Sequence, residues 1–276
     1  PNEAYSDHGI GYWVIHKKIE KLDITIGSIY DQIGSGIVFR SYEDRGIGTD
    51  KALEGIKLNY ELSENWMIKG FTGRQKNKFS SFKPIIKGIN SEKFYKLSEK
   101  INMNTGFGLI NRTMDQTSMT TLVTNIEALD LEDRFYPKYN VYVGSLYNTL
   151  YFGNINWYVE YAQKSSEAIL DENGKLTDKP GHVFYSSFTY SKKGIGATIQ
   201  YKETEYFSFR TSPNELLLDG VINFLPPLTK LNTLRLLSRY PASALEWNER
   251  AVQADIIYTP KKGNTFALNT SYATDR

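Results

Sequence analysis

Apolar and polar residues take turns along most of this chain. From Leu53 to Leu62, the side chains of Ile56, Leu58, Tyr60 and Leu62 fall on one side of an extended backbone. Gly55, Lys57, Asn59 and Glu61 fall on the other, with the period of two that a two-faced strand demands. Leu22 to Tyr30 repeats the theme, setting Leu22, Ile24, Ile26, Ser28 and Tyr30 against Asp23, Thr25 and Gly27. Asn65 to Lys76 opposes Trp66 and Ile68 to Lys69 and Phe71. Within Tyr151 to Gln163, the residues Ile155, Trp157, Val159 and Tyr161 oppose Asn156, Tyr158, Glu160 and Ala162. The same rhythm predicts strands over 11–16, 85–97, 100–112, 139–147, 183–191, 195–209, 250–258 and 264–272, about a dozen in all. Most approach the roughly 9–11 residues that a tilted strand needs to cross a bilayer.

The connections come in two kinds. Ser63-Glu64, Lys192-Lys193-Gly194 and Lys261-Lys262-Gly263 are tight, whereas 113–138, 165–181 and 211–248 are expected to be long. Alternation of short and long connections puts all the long ones on one rim, as in transmembrane barrels. A soluble sandwich also tolerates uneven loops, but its second face meets bulk water and fills with charge, whereas here that face is polar under aromatic-tipped strands. The expectation is an all-β, antiparallel transmembrane β-barrel formed by residues 1–276 as a single domain, with a helical insertion at 211–247. In that insertion Asn214 to Phe224 and Leu228 to Leu237 are leucine-rich. Leu228, Leu231, Leu234 and Leu237 stand at helical spacing after Pro226-Pro227, which predicts two short helices.

Composition favours the same class. Aromatic residues make up 14% of the 276, with 20 Tyr and 14 Phe beside 21 Gly, which suits strands whose faces meet different solvents and the tight turns between them. No apolar run approaches the roughly 20 residues of a spanning helix, and no signal segment opens the chain. The start at Pro1 suggests processing or an upstream portion, and the polar end at Asn269 to Arg276 suggests a longer barrel-forming chain or a neighbour covering that edge. There is no cysteine, which excludes disulfides and thiolate metal sites, and a net charge of +2 without a basic stripe argues against a nucleic-acid partner.

Between the first strands lies GSGIVFRSYEDRGIGTD, in which Gly34 and Gly36 bracket Ser35 and allow a sharp turn before Ile37 to Tyr42. It reads either as a solvated turn or as an ionic cluster lining an interior cavity. This motif, together with NFLPPLTKLNTLRLLSRYP at Asn223 to Pro241, resembles an uncharacterised porin-like outer-membrane β-barrel family of Bacteroidota-type bacteria. The two motifs cover about an eighth of the chain. The resemblance implies an outer-membrane location and a porin-like architecture, and it carries no catalytic residues.

Candidate chemistry is electrostatic and steric. Arg40, Glu43, Arg45, Lys57, Glu61, Lys69 and Glu160 are expected to line the lumen and shape what passes. Leu231, Leu234, Arg235, Arg239 and Tyr240 are expected on a loop that plugs the opening or meets a partner. Trp13, Tyr30, Trp66, Tyr151 and Trp157 are expected as interfacial girdles. Three functions follow: solute passage or a barrel subunit of an envelope complex; loop-mediated scaffolding in protein export or surface assembly; and, remotely, an outer-membrane lipase using His182 with Ser186 or Ser187. For the lipase, no motif supplies an oriented base or an oxyanion hole. The histidines His8, His16 and His182 lack metal spacing, and Asp171, Glu172, Asn173 and Asp178 read as a turn before they read as a calcium loop. The protein is therefore expected not to be an enzyme and to need no cofactor, with outer-membrane lipid and other envelope proteins as partners.

Overall fold

A computed structural model describes residues 11–46, 48–171, 173–217, 219–230 and 247–275. The architecture is one antiparallel sheet of 13 strands. Its members in chain order are β1 (Val14–Ile19), β2 (Leu22–Ile29), β7 (Leu53–Ser63), β8 (Trp66–Asn77), β9 (Ser80–Ser81), β10 (Ile85–Lys96), β11 (Ile101–Thr113), β12 (Asn140–Phe152), β13 (Ile155–Leu170), β14 (Leu176–Lys192), β15 (Ile195–Glu205), β16 (Asn248–Lys261) and β17 (Asn264–Asp275). All but β9 lie side by side in sequence order, each paired with the strand before and after it; β9 pairs with β8. Two small hairpins stand apart from this wall, β3 (Asp31–Ile33) with β4 (Phe39–Ser41) and β5 (Glu43–Asp44) with β6 (Thr49–Asp50).

Residues 20–21, 64–65, 97–100, 153–154, 193–194 and 262–263 make the turns at one end. Every longer connection sits at the other end, so the expected division into a turn rim and a loop rim is the one observed. Two of the long connections differ from expectation. Residues 165–181 are mostly strand, because β13 and β14 run past the membrane-spanning length and are joined by 171–175 alone. A register shift between Lys164 and Glu167 explains why the period there was unreadable: β13 carries one extra residue against β14, a bulge that resets the alternation.

The 113–138 connection holds a helix, α1 (Gln116–Glu127). Its sequence, QTSMTTLVTNIE, is rich in β-branched residues and gives little local preference for helix. Asp115 caps it by accepting from the Thr117 and Ser118 backbone N–H groups at 3.0 and 3.3 Å. Burial of Met119, Leu122 and Ile126 holds it down against Met114 and Ala168.

The two faces of the wall are opposite in character. Ile56, Leu58, Tyr60 and Trp157 are 43–45% exposed on the outside, and Leu146, Ile199, Leu268 and Tyr272 are exposed with them. On the inside Arg112, Glu160, Lys164 and Lys202 are at 0%. A water-soluble domain buries its apolar face; this one presents it outward and buries its charges, as a sheet standing in hydrocarbon does.

Candidate functional site in the barrel interior

The interior of the loop half is filled by two segments that fold inward. The first is the β3–β4 hairpin. Ile37, Val38 and Phe39 follow its turn and are buried with Ile33 in the main apolar cluster, against Phe71, Ile110, Val143, Val183 and other wall residues. Gly34 at its tip has φ +54°, and a Cβ there would sit 2.8 Å from Glu160 Oε1, so only glycine fits. Gly108 on the wall is the matching slot: a Cβ would come 2.4 Å from Ile33 Cγ2.

Polar contacts fix the hairpin at both ends. At the tip, the Ser35 N–H and O–H donate to Glu160 Oε2 at 3.0 and 2.5 Å, and Tyr158 O–H donates to the same oxygen at 2.6 Å. At the base, Asp31 accepts from Lys69 Nζ at 2.7 Å and Lys57 Nζ at 3.1 Å, and Lys69 also donates to the Gln32 carbonyl at 3.0 Å. Burial works against ionisation of Asp31, but the two lysines outweigh it and hold its pKa below the ordinary carboxylate value.

The second inserted segment runs over 207–228. The expected helix over 214–224 is not formed: Arg210 bridges to Val221, and the Ile222 and Thr211 N–H groups donate to the Phe209 and Gly220 carbonyls. Phe207, Phe209, Ile222 and Leu228 join the buried cluster. Wall cations grip this segment by its carbonyls. Arg112 donates to Thr211 O at 3.1 Å, Lys164 to Ser208 O at 2.7 Å and Lys202 to Pro226 O at 3.0 Å. Each cation also meets an acid: Arg112 and Lys164 share Glu167 at 2.6 and 2.7 Å, and Lys202 meets Glu249 at 2.7 Å. The two insertions are stitched together where Arg40 N–H donates to Ile222 O and Phe224 N–H to Gly36 O, at 2.9 Å each.

The seven charged residues singled out in the sequence thus occupy four places. Lys57, Lys69 and Glu160 hold the hairpin. Arg40 lies over the rings of Tyr42 and Phe224, at 4.8 and 4.2 Å, between the two insertions. Glu43 and Arg45 pair with each other at the exposed loop rim, where they line a cleft of about 710 Å³, so they are not part of an interior cluster. Glu61 is exposed at the turn rim, paired with Lys18. Leu231, Leu234, Arg235, Arg239 and Tyr240 lie outside the described residues.

Sequence reasoning missed Asp31, Ser35, Arg112, Lys164, Glu167, Lys202 and Glu249. The inward parity of Arg112, Lys164 and Lys202 on their strands was a readable sign. Two girdle residues are also reassigned. Tyr30 stacks on Tyr12 and donates to Asp50 at 3.0 Å, and Tyr151, opposite Asn156 and Asn102, has the parity of the inner face. Asp171 accepts from the Asn173 and Lys175 N–H groups at 2.9 Å, which makes the loop a turn. His182 and Ser186 share a face but stand four residues apart on one strand, about 13 Å and beyond hydrogen-bond reach. Ser187 points to the opposite face.

The wall, its outward apolar face and its polar plugged interior define the fold of outer-membrane porin barrels. The structure of OccK8 (OprE) from Pseudomonas aeruginosa superposes with a TM-score of 0.54 at 13% identity, covering 94% of this chain and 64% of that one. OccD1 (OprD) gives 0.49 at 8% identity, covering 95% and 62%, and a BenF-like porin from Pseudomonas fluorescens Pf-5 gives 0.44 at 8%, covering 94% and 70%. The chain therefore spans less than two thirds of the length of OccK8. No curated protein matches. Over residues 2–275 the chain matches the family of unknown function DUF6029, and it belongs to that family.

Proposed function

We propose that this protein is a porin-like barrel of the bacterial outer membrane that passes small solutes through an interior narrowed by the β3–β4 hairpin and the 207–228 segment. The reversal of polarity carries this reading: apolar residues such as Leu58 and Trp157 face outward while Lys202, Arg112 and Glu160 are buried inside. Lys57, Lys69 and Glu160 then control passage by holding the hairpin, Arg40 by joining the two insertions, and Glu43 and Arg45 by lining the mouth. Reconstitution into planar bilayers tests it. Discrete current steps are expected, and they should enlarge when 32–40 is replaced by a short Gly-Ser linker.

The apolar cluster filling the loop half favours a second reading, an occluded barrel that serves as a scaffold within an envelope complex. Leu131, Tyr136 and Leu217, which are strongly exposed on the loop rim, would then meet the partner. Absence of current from both the native protein and the linker variant would overturn solute passage and select this one.

A further inference from the structure

Below the plug, toward the turn rim, the inner wall changes chemistry. The inward positions of β11 to β16 there are Asn104, Thr149, Tyr158, Ser187, Gln200 and Gln253 in one row, and the next row toward the turns includes Thr189 and Thr198. These side chains are half-buried, neither sealed in the core nor fully in solvent. A cavity of about 340 Å³ opens against them, lined by Thr189, Thr198, Gln200, Gln253 and Asp255. Asp255, the acid in that lining, pairs with Lys230, two residues past the inserted segment, at 2.9 Å and accepts from Asn269 at 3.4 Å.

The cations higher up are likewise matched inside the protein, by Asp31, Glu167 and Glu249. Apart from Asp255 and Glu92, which accepts from the Tyr147 hydroxyl at 2.7 Å, the accessible interior surface is thus made of amides and hydroxyls, each able to donate and accept, with the hydroxyls of Tyr185 and Tyr158 bordering it. Tyr185 accepts from Gln200 Nε2 at 2.7 Å. Along β11 to β16, where Asp255 is already paired with Lys230, a charged solute would give up hydration without meeting an unpaired opposite charge, whereas a neutral one dense in hydroxyls would exchange water for amide and hydroxyl partners.

Resting on the porin-like reading, we infer that the solute is neutral and polyhydroxylated, a sugar or polyol, and that Gln200, Gln253, Thr189 and Thr198 form its binding wall. The test is swelling of liposomes carrying the full chain, with glucose, gluconate and glucosamine as matched neutral, anionic and cationic probes. Glucose should enter at least about threefold faster than either ion, and Gln200→Leu with Gln253→Leu should slow glucose about tenfold, the loss of two hydrogen bonds, and slow gluconate and glucosamine less. Thr198→Val, a smaller change of nearly the same shape, should slow glucose in the same direction.

Faster entry of gluconate or glucosamine, or equal slowing of all three probes in the variants, overturns the inference while leaving the pore intact. Absence of both conductance and swelling overturns the pore itself, and the inference with it.

Discussion

Replacing Asp31 by Asn should release the β3–β4 hairpin from the wall. Asp31 is the common acceptor for Lys57 and Lys69, and the three side chains are 15%, 16% and 9% exposed, respectively. Removing the carboxylate leaves two ammonium groups facing each other with little water. Breaking a buried pair from one side costs about 3–5 kcal/mol, and the partial access of water here lowers this to about 2–4 kcal/mol. The ratio of seated to unseated hairpin should therefore fall by about 30- to 700-fold.

The absence of cysteine from the chain gives a clean assay. Val38, fully buried behind the hairpin turn, can be replaced by Val38→Cys, and a polar maleimide then reacts only when the hairpin lifts. The labelling rate in reconstituted protein should rise by that factor on adding Asp31→Asn, and Lys69→Met in the same background should recover part of the loss. A rate unchanged within about threefold would show that the ion pairs do not hold the hairpin, and the reasoning from burial to seating would fail.

Three further outcomes follow from the same geometry. Because the folded-state pKa of Asp31 is depressed, its contribution to seating is fully present above the ordinary carboxylate value of 3.8 and is lost as pH falls through the lower folded value. Conductance should thus be flat from neutral pH down to about pH 4 and rise only below it; a rise centred near pH 6 would assign the change to another group. Gly108→Ala, which drives a methyl into Ile33, should cost about 1–3 kcal/mol by overpacking and speed Val38→Cys labelling accordingly. Leu58→Arg on the outer face should cost about 2–4 kcal/mol in urea-monitored folding into lipid vesicles, while Asn59→Arg on the inner face should cost far less, and equal costs would contradict the placement of lipid.

The wall was legible because its two faces obey one rule over nearly every strand: Ile56, Leu58 and Tyr60 alternate with Lys57 and Asn59 as a lipid-facing strand requires. The tight turns were legible from Gly194 and Gly263, which take the positive φ that such turns use. What lay inside was hidden for a physical reason. The hairpin at 31–41 pairs with itself and packs against residues of distant wall strands, such as Lys69, Phe71 and Glu160, so no local period announces it. Its own sequence, IGSGIVF, reads as a turn and a short strand whichever side of the wall it occupies. Helix α1 was hidden because burial and the Asp115 cap, rather than local preference, hold it. The ionic cluster was half legible: Lys57 and Lys69 share a face by parity, but their acceptor Asp31 stands on a different element, and Glu43 and Arg45 went to the rim because the chain between them and Asp31 turns outward again.

The extra residue in β13 has a consequence beyond the local kink. Counting along the strand, the bulge is what brings Glu167 round to the same side as Lys164, where it also meets Arg112. Deleting Ser166 would remove the bulge yet leave Glu167 two positions from Lys164 and on the same side, whereas straightening the strand with every residue kept would turn Glu167 to the outer face and leave an arginine and a lysine without their shared counterion. The electrical neutrality of the upper interior therefore depends on the bulge at 165–166 as much as on residue identity, and relatives in which this strand is one residue shorter there should keep the arginine, the lysine and their shared acid.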